Sequence, residues 1–361
     1  MTRVAGGKTG DRPKVEKLPV RPRKQAAERV AARLALLEET MADRVSVEAF
    51  ELIVRKLRVP RVPMLFRALA AQKALLPCWH ALRPSIRLRA FEEAADDLRA
   101  RAAQAAVDLG CPLIETQLGW AGYDADQVDE IRGQVNIFHY QNAKLLLAAS
   151  VLHEGLRGGC GGGAPGKASG RAMQRVPRGV PQDMDAVELV PEDSEGPLGK
   201  AFRQIRAHSR LGLVADDYRA LGRWPRYLEL AWADARTRDA QPRAATALGE
   251  LRSAARAAAA ELPERVEVTP AQLEAAGADP AAVQAMVERF LDTQPSLTLD
   301  LALFKTQLDG AQDARQSPFP VRWKYLAQDD YLTAEVDAAV RLRAGDPTSL
   351  DEGAVPPVGK H

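Results

Sequence analysis

Gln117-Leu118-x-x-Ala121-Gly122-x-Asp124-x-x-x-Val128 returns 155 residues later as Gln272-Leu273-x-x-Ala276-Gly277-x-Asp279-x-x-x-Val283. Six identities at fixed spacing in twelve positions are hard to ascribe to composition. Each copy predicts a helix that ends at glycine, with the aspartate capping the helix that follows. Other pairs keep nearly the same offset: Arg67-Ala68-Leu69 with Arg219-Ala220-Leu221, Trp79 with Trp232, and Leu98-Arg99 with Leu251-Arg252. The chain therefore reads as two tandem copies of one helical unit.

Composition agrees with an all-α class. The 361 residues are 46% hydrophobic and only 5% aromatic, rich in Ala, Leu and Arg, and long stretches lack the Val, Ile and Thr runs of strands. Between the copies, 157–197 is crowded with Gly and Pro and reads as a flexible crossover. The organisation is a disordered basic arm over 1–24, repeat 1 with an N-terminal extension over 25–156, the crossover, repeat 2 over 198–321, and a C-terminal extension over 322–361. Within 25–57 the spacing predicts helices interrupted near Asp43 to Ser46. One more helix is expected around Ala334 to Arg343.

Fifty basic and 48 acidic residues leave a net charge of +2, so no global field points to nucleic acid. Cys78, Cys111 and Cys160 lack metal or redox spacing, no apolar run reaches the ~20 residues of a membrane span, and no signal sequence is evident. A soluble cytoplasmic protein is expected, with no nucleic-acid or membrane partner; a homodimer stays open. Gly6-Gly7-Lys8-Thr9 lacks the first glycine and the preceding strand of a phosphate loop. The five histidines show no ligand spacing, and His153-Glu154 lacks the second histidine of a zinc motif.

The duplication supplies an internal control, because packing positions should keep their chemistry in both copies. Tyr218 corresponds to Phe66, but Asp217 and Asp216 correspond to Leu65 and Met64. Two apolar positions have become carboxylates that the fold does not require. One of them is expected to cap the helix through Tyr218, and the other is free for chemistry. The second asymmetric place is Phe138 to Leu145, where Asn142 would stand near the start of a buried helix opened by Leu145-Leu146-Leu147, as a cap or turn residue or as part of a site.

Together these segments resemble the group I 2-haloacid dehalogenases, the DehI family. Leu57-Arg58-Val59-Pro60, Ala121-Gly122-Tyr123-Asp124, Phe138 to Leu147 with Tyr140, Asn142 and Lys144, Ala215 to Trp224-Pro225, Leu308-Asp309-Gly310-Ala311 and Ser317-Pro318-Phe319-Pro320 carry the likeness in matching order. The resemblance implies two helical repeats arranged as a pseudo-dimer, with the site between them. It implies a cofactor-free, metal-free hydrolase whose substrates are a small carboxylic acid and water. Asp217 would activate a water that attacks the halogen-bearing C2 directly, Asn142 would hold that water, and a 2-hydroxy acid would form with inversion. Asp216 then becomes the cap.

The substrate-binding positions implied by the resemblance are Arg61, Met64, Leu145, Ala215 and Asp216. Arg61 and Met64 stand where the family has large aromatics, Leu145 replaces a tyrosine, and Asp216 stands where serine is usual. An arginine within about 4 to 6 Å of Asp217 would attract a substrate carboxylate but depress the base. Ala215 keeps the small residue associated with accepting both enantiomers. Two alternatives remain: the same fold acting on another small carboxylic acid, and a noncatalytic helical interaction protein in which Asp217 and Asn142 lie apart or solvated.

Overall fold

A computed structural model describes residues 33–159, 161–163, 170–321 and 323. The basic arm, Cys160 and the helix expected at Ala334 to Arg343 lie outside the described residues. Among those described the fold is all-helical, with isolated bridges only at Leu88 with Arg175 and Gly161 with Val266. No helix among them is long and apolar enough to cross a membrane.

The helices are α1 (Arg44–Leu57), α2 (Met64–Ala71), α3 (Leu75–Ile86), α4 (Arg89–Asp108), α5 (Glu115–Trp120), α6 (Ala125–Leu156), α7 (Gly196–His208), α8 (Asp216–Leu221), α9 (Pro225–Asp239), α10 (Pro242–Glu261), α11 (Pro270–Ala275) and α12 (Pro280–Ala314). The expected interruption near Asp43 is where the first α-helix begins: the Asp43 carboxylate accepts the Ser46 N–H at 2.7 Å. Residues 33–38 before it are not helical. The two Ala-Gly-x-Asp motifs behave alike. Gly122 and Gly277 take φ of 87° and 76°, the left-handed conformation that releases a chain from a helix, and Asp124 and Asp279 cap α6 and α12.

Both long helices are central. From Ile137 to Leu152 every side chain of α6 is buried, and α12 buries every residue from Leu297 to Leu308, so neither has a solvent face over those turns. They pack on each other and on α4 and α10. Two aromatic pairs brace the shorter helices. Phe66 meets Trp79 edge to face at 5.9 Å, and Tyr218 meets Trp232 at 5.4 Å.

The described parts of the crossover are tied down, contrary to the expectation of a freely flexible link. Gly161 and Val266 exchange N–H···O bonds of 3.2 and 2.8 Å, Val176 N–H donates to Arg87 at 2.8 Å, and Val190 N–H donates to Arg219 at 3.2 Å. The segment from α1 into α2 is held by a buried ionic knot. Lys144 Nζ on α6 donates to the Leu57 carbonyl (2.9 Å) and the Tyr140 hydroxyl (2.6 Å) and pairs with Glu92 (2.6 Å), which also receives the Tyr140 hydroxyl and faces Arg58. Burial pushes the Lys144 ammonium down to about 8 against the opposing pull of Glu92.

Candidate active site

Asp217 and Asn142, 75 residues apart, meet at the junction of α8 with α6: Asn142 Nδ2 donates to Asp217 Oδ2 at 2.7 Å. Both are fully buried, at 2% and 1% exposure. Asn142 is not near a helix start, as its sequence neighbourhood suggested. It stands in the middle of α6, because the polar residues before Phe138 continue the helix instead of ending it. Its Nδ2 also reaches the Leu297 carbonyl of α12 at 3.4 Å, and its own carbonyl accepts from Gln294 Nε2 at 3.3 Å. The amide orientation follows from chemistry, since only the NH₂ can donate to a carboxylate. That leaves Asn142 Oδ1 buried without a hydrogen bond from any of the described residues.

Burial pushes the Asp217 carboxyl up to about 7, because a charge far from water is disfavoured. The Asn142 donor and the Asp217 backbone N–H oppose this, whereas the nearby charges of Asp216 and Asp300 add to it. A carboxyl so placed is a far stronger base, once ionised, than an aspartate in water.

Asp216 is not the cap that the sequence led us to expect. Ala215 is the N-cap of α8, without a side-chain bond, and Asp216 is the first helical residue. Its carboxylate is drawn instead to the wholly buried Arg67 of α2, with Arg61 Nε at 3.8 Å and Arg219 Nη1 at 3.9 Å. A buried cation nearby attracts a carboxylate more strongly than a helix terminus does. Arg61 is likewise engaged, with Asp216 and with Glu39 at 3.2 Å, and Asp217 stays raised instead of being depressed by it. The structure thus brings Arg61 and Asp216 together. Met64 begins α2, Leu145 lies one turn after Asn142 on α6, and Ala215 lies two residues before Asp217, all three buried.

Sequence reasoning missed a second polar layer. The Tyr218 hydroxyl donates to Asp300 Oδ2 at 2.5 Å, and Arg236 Nη2 reaches the same oxygen at 3.0 Å. Burial pushes Asp300 up to about 6, opposed by Arg236. A lone acid in the apolar run Leu297 to Phe304 was the available signal, as was the recurrence of Arg67 at Arg219.

The family model described as Halocarboxylic acid dehydrogenase DehI matches residues 60–195. Over that stretch the chain is similar to the DehI family. Proteins similar to it include an (R)-2-haloacid dehalogenase of Pseudomonas putida, 28% identical over 54% of this chain and 65% of its own length. An (R)-2-haloacid dehalogenase of Rhizobium sp. (strain NHG3) is 31% identical over 44% of this chain and 60% of its own. With these two relatives, the alignment spans less than two thirds of the relative. A configuration-inverting 2-haloacid dehalogenase of Alcaligenes xylosoxydans xylosoxydans is 29% identical over 75% of this chain and 93% of its own. A solved complex of a D-2-haloacid dehalogenase with L-LA superposes with a TM-score of 0.69 at 27% identity, over 77% of this chain and 97% of that one.

Proposed function

We propose that this chain hydrolyses 2-haloalkanoic acids to 2-hydroxy acids by direct attack of an Asp217-activated water at C2, without an ester intermediate. The observation that carries this is the buried Asn142–Asp217 bond, with the carboxyl raised toward neutrality and Asn142 Oδ1 free to accept. A water donating one proton to Asp217 and the other to Asn142 Oδ1 is held with its lone pair directed away from both. As its oxygen bonds to C2, the carbon–halogen bond breaks opposite, halide departs, and the proton passes to Asp217 and then to solvent. Attack opposite the leaving group inverts C2, in keeping with the configuration-inverting relatives.

In this reading Arg61 draws the substrate carboxylate, Met64, Leu145 and Ala215 form apolar walls, and Asp216 holds Arg61 in place. We further infer that the chain is two tandem repeats in a pseudo-dimer. Helices α2 to α6 and α8 to α12 follow in the same order, and the pairs Phe66–Trp79 and Tyr218–Trp232 occupy matching places. Asn142 touches both Gln294 and Leu297, 152 and 155 residues on, the two offsets at which the repeat recurs. A residue meets its own counterpart only close to a two-fold axis, which supports a site between the repeats.

The test is halide release from each enantiomer of 2-chloropropanoate by the purified protein; release from neither removes this reading. A second reading, action on another small carboxylic acid, is favoured by the Arg61–Asp216–Arg67 network next to Asp217 and predicts binding of unhalogenated acids without turnover of haloacids.

Two predictions arise here. Only the ionised base works, so kcat/KM should rise with pH along an acid limb centred near 7 and then level off. Asn142→Ala removes a donor that favours the charged form. It should move that limb upward by roughly one pH unit and lower the plateau by on the order of 10²-fold, read from the pH profile of halide release.

A further inference from the structure

A chamber of about 70 Å³ lies beside the first turn of α8, with Ala215, Tyr218, Leu297 and Asp300 in its wall. Two of these abut the Asn142–Asp217 pair: Ala215 caps the helix that carries Asp217, and the Leu297 carbonyl faces Asn142 Nδ2. On another side the chamber is lined by His208, Trp232 and Arg236. The same three side chains line a wider groove of about 640 Å³ between α7 and α9, so one layer of side chains stands between chamber and groove.

That layer joins an exposed side chain, His208, to the buried Trp232 and to Arg236, which is ion-paired with Asp300 and Asp239. Trp232 stands edge-on between Tyr218 (5.4 Å) and His208 (5.6 Å), and the Arg236 guanidinium lies 4.0 Å over its ring. His208 is exposed at the end of α7, tethered by Nδ1 to the Gln204 carbonyl at 2.9 Å. An exposed side chain such as His208 changes rotamer in nanoseconds or less, so it is the mobile member of the layer.

We infer that small carboxylates reach Asp217 between α7 and α9, with His208, Trp232 and Arg236 forming the gate. The identity of the substrate rests on the function proposed above. The chamber's size restricts the ligand to short-chain acids.

The test places a thiol in the chamber wall by Ser296→Cys, an exchange of oxygen for sulfur, and follows its reaction with iodoacetate. The thiolate forms a bond to the methylene carbon as iodide leaves, and mass spectrometry reads the adduct at position 296. Carboxymethylation should proceed in the folded protein and slow roughly tenfold or more when Ala233→Trp fills the groove. Ala257→Trp, in the separate groove between α4 and α10, should leave the rate unchanged. Both alanines are exposed, and thermal melts check that each variant folds. No labelling at 296, or equally fast labelling with Ala233→Trp, overturns the route. Halide release by the unmodified protein is measured separately: its absence removes the dehalogenase reading, and the labelling rates still decide the route.

Discussion

Asp217→Asn is expected to abolish halide release, by at least about 10³-fold in kcat, while making the protein more stable. The loss follows because Asn cannot take the water's proton. The gain follows from linkage. Asp217 is raised from 3.8 to about 7 by burial, a difference of some three pH units, which corresponds to roughly 4 kcal/mol as an upper limit on the cost of keeping it ionised in the fold. The sign is fixed by which state holds the proton more tightly. Below about pH 4 the carboxyl is protonated folded or unfolded and contributes no cost; as pH rises toward 7 the unfolded chain ionises more readily, and the native state loses relative stability. Asn has no charge to desolvate and still accepts the Asn142 donor. Urea unfolding should therefore show the variant about 2 kcal/mol more stable at pH 8, with the gap closing near pH 4. Such a group, costly to the fold and placed where chemistry needs it, is the mark of a site.

The second large effect concerns Arg67. Its side chain is completely buried, with its guanidinium on Asp216 and a longer contact to Glu38 at 3.5 Å. Arg67→Ala leaves the Asp216 carboxylate buried with only Arg61 and Arg219, at 3.8 and 3.9 Å. Removing one partner of a buried ion pair costs about 3 to 5 kcal/mol, and the midpoint of urea unfolding should fall accordingly at unchanged slope. Replacing both partners, as Arg67→Met with Asp216→Leu, should recover most of that loss, because the desolvation cost disappears with the charges. Any residual activity of Arg67→Ala should show its acid limb displaced upward, since an unneutralised Asp216 beside Asp217 disfavours its ionisation.

The helical class and the helix boundaries around Gly122 and Gly277 were legible because glycine and aspartate act locally, through φ and through capping. Asp217 was legible as a departure from its apolar counterpart Leu65. Asp216 was misread for a physical reason: capping preference is local, whereas the force that captured it comes from Arg67, 149 residues away. Asn142 was misplaced within its helix because α6 is polar over its first turns and apolar only later, so hydrophobic pattern alone dated its start too late. The lone acid Asp300 in an apolar run was the one local sign of the Tyr218–Asp300–Arg236 layer, whose partners meet only when α8, α9 and α12 are packed together.

Direct attack by water is tested most directly by a single turnover of excess enzyme with 2-chloropropanoate in H₂¹⁸O, followed by mass analysis of the lactate. If Asp217 acts as a base, the first-turnover product carries ¹⁸O and the Asp217 peptide stays unlabelled. Unlabelled lactate, with ¹⁸O recovered in the Asp217 carboxyl, would show that the carboxylate itself attacked C2 and would contradict the mechanism.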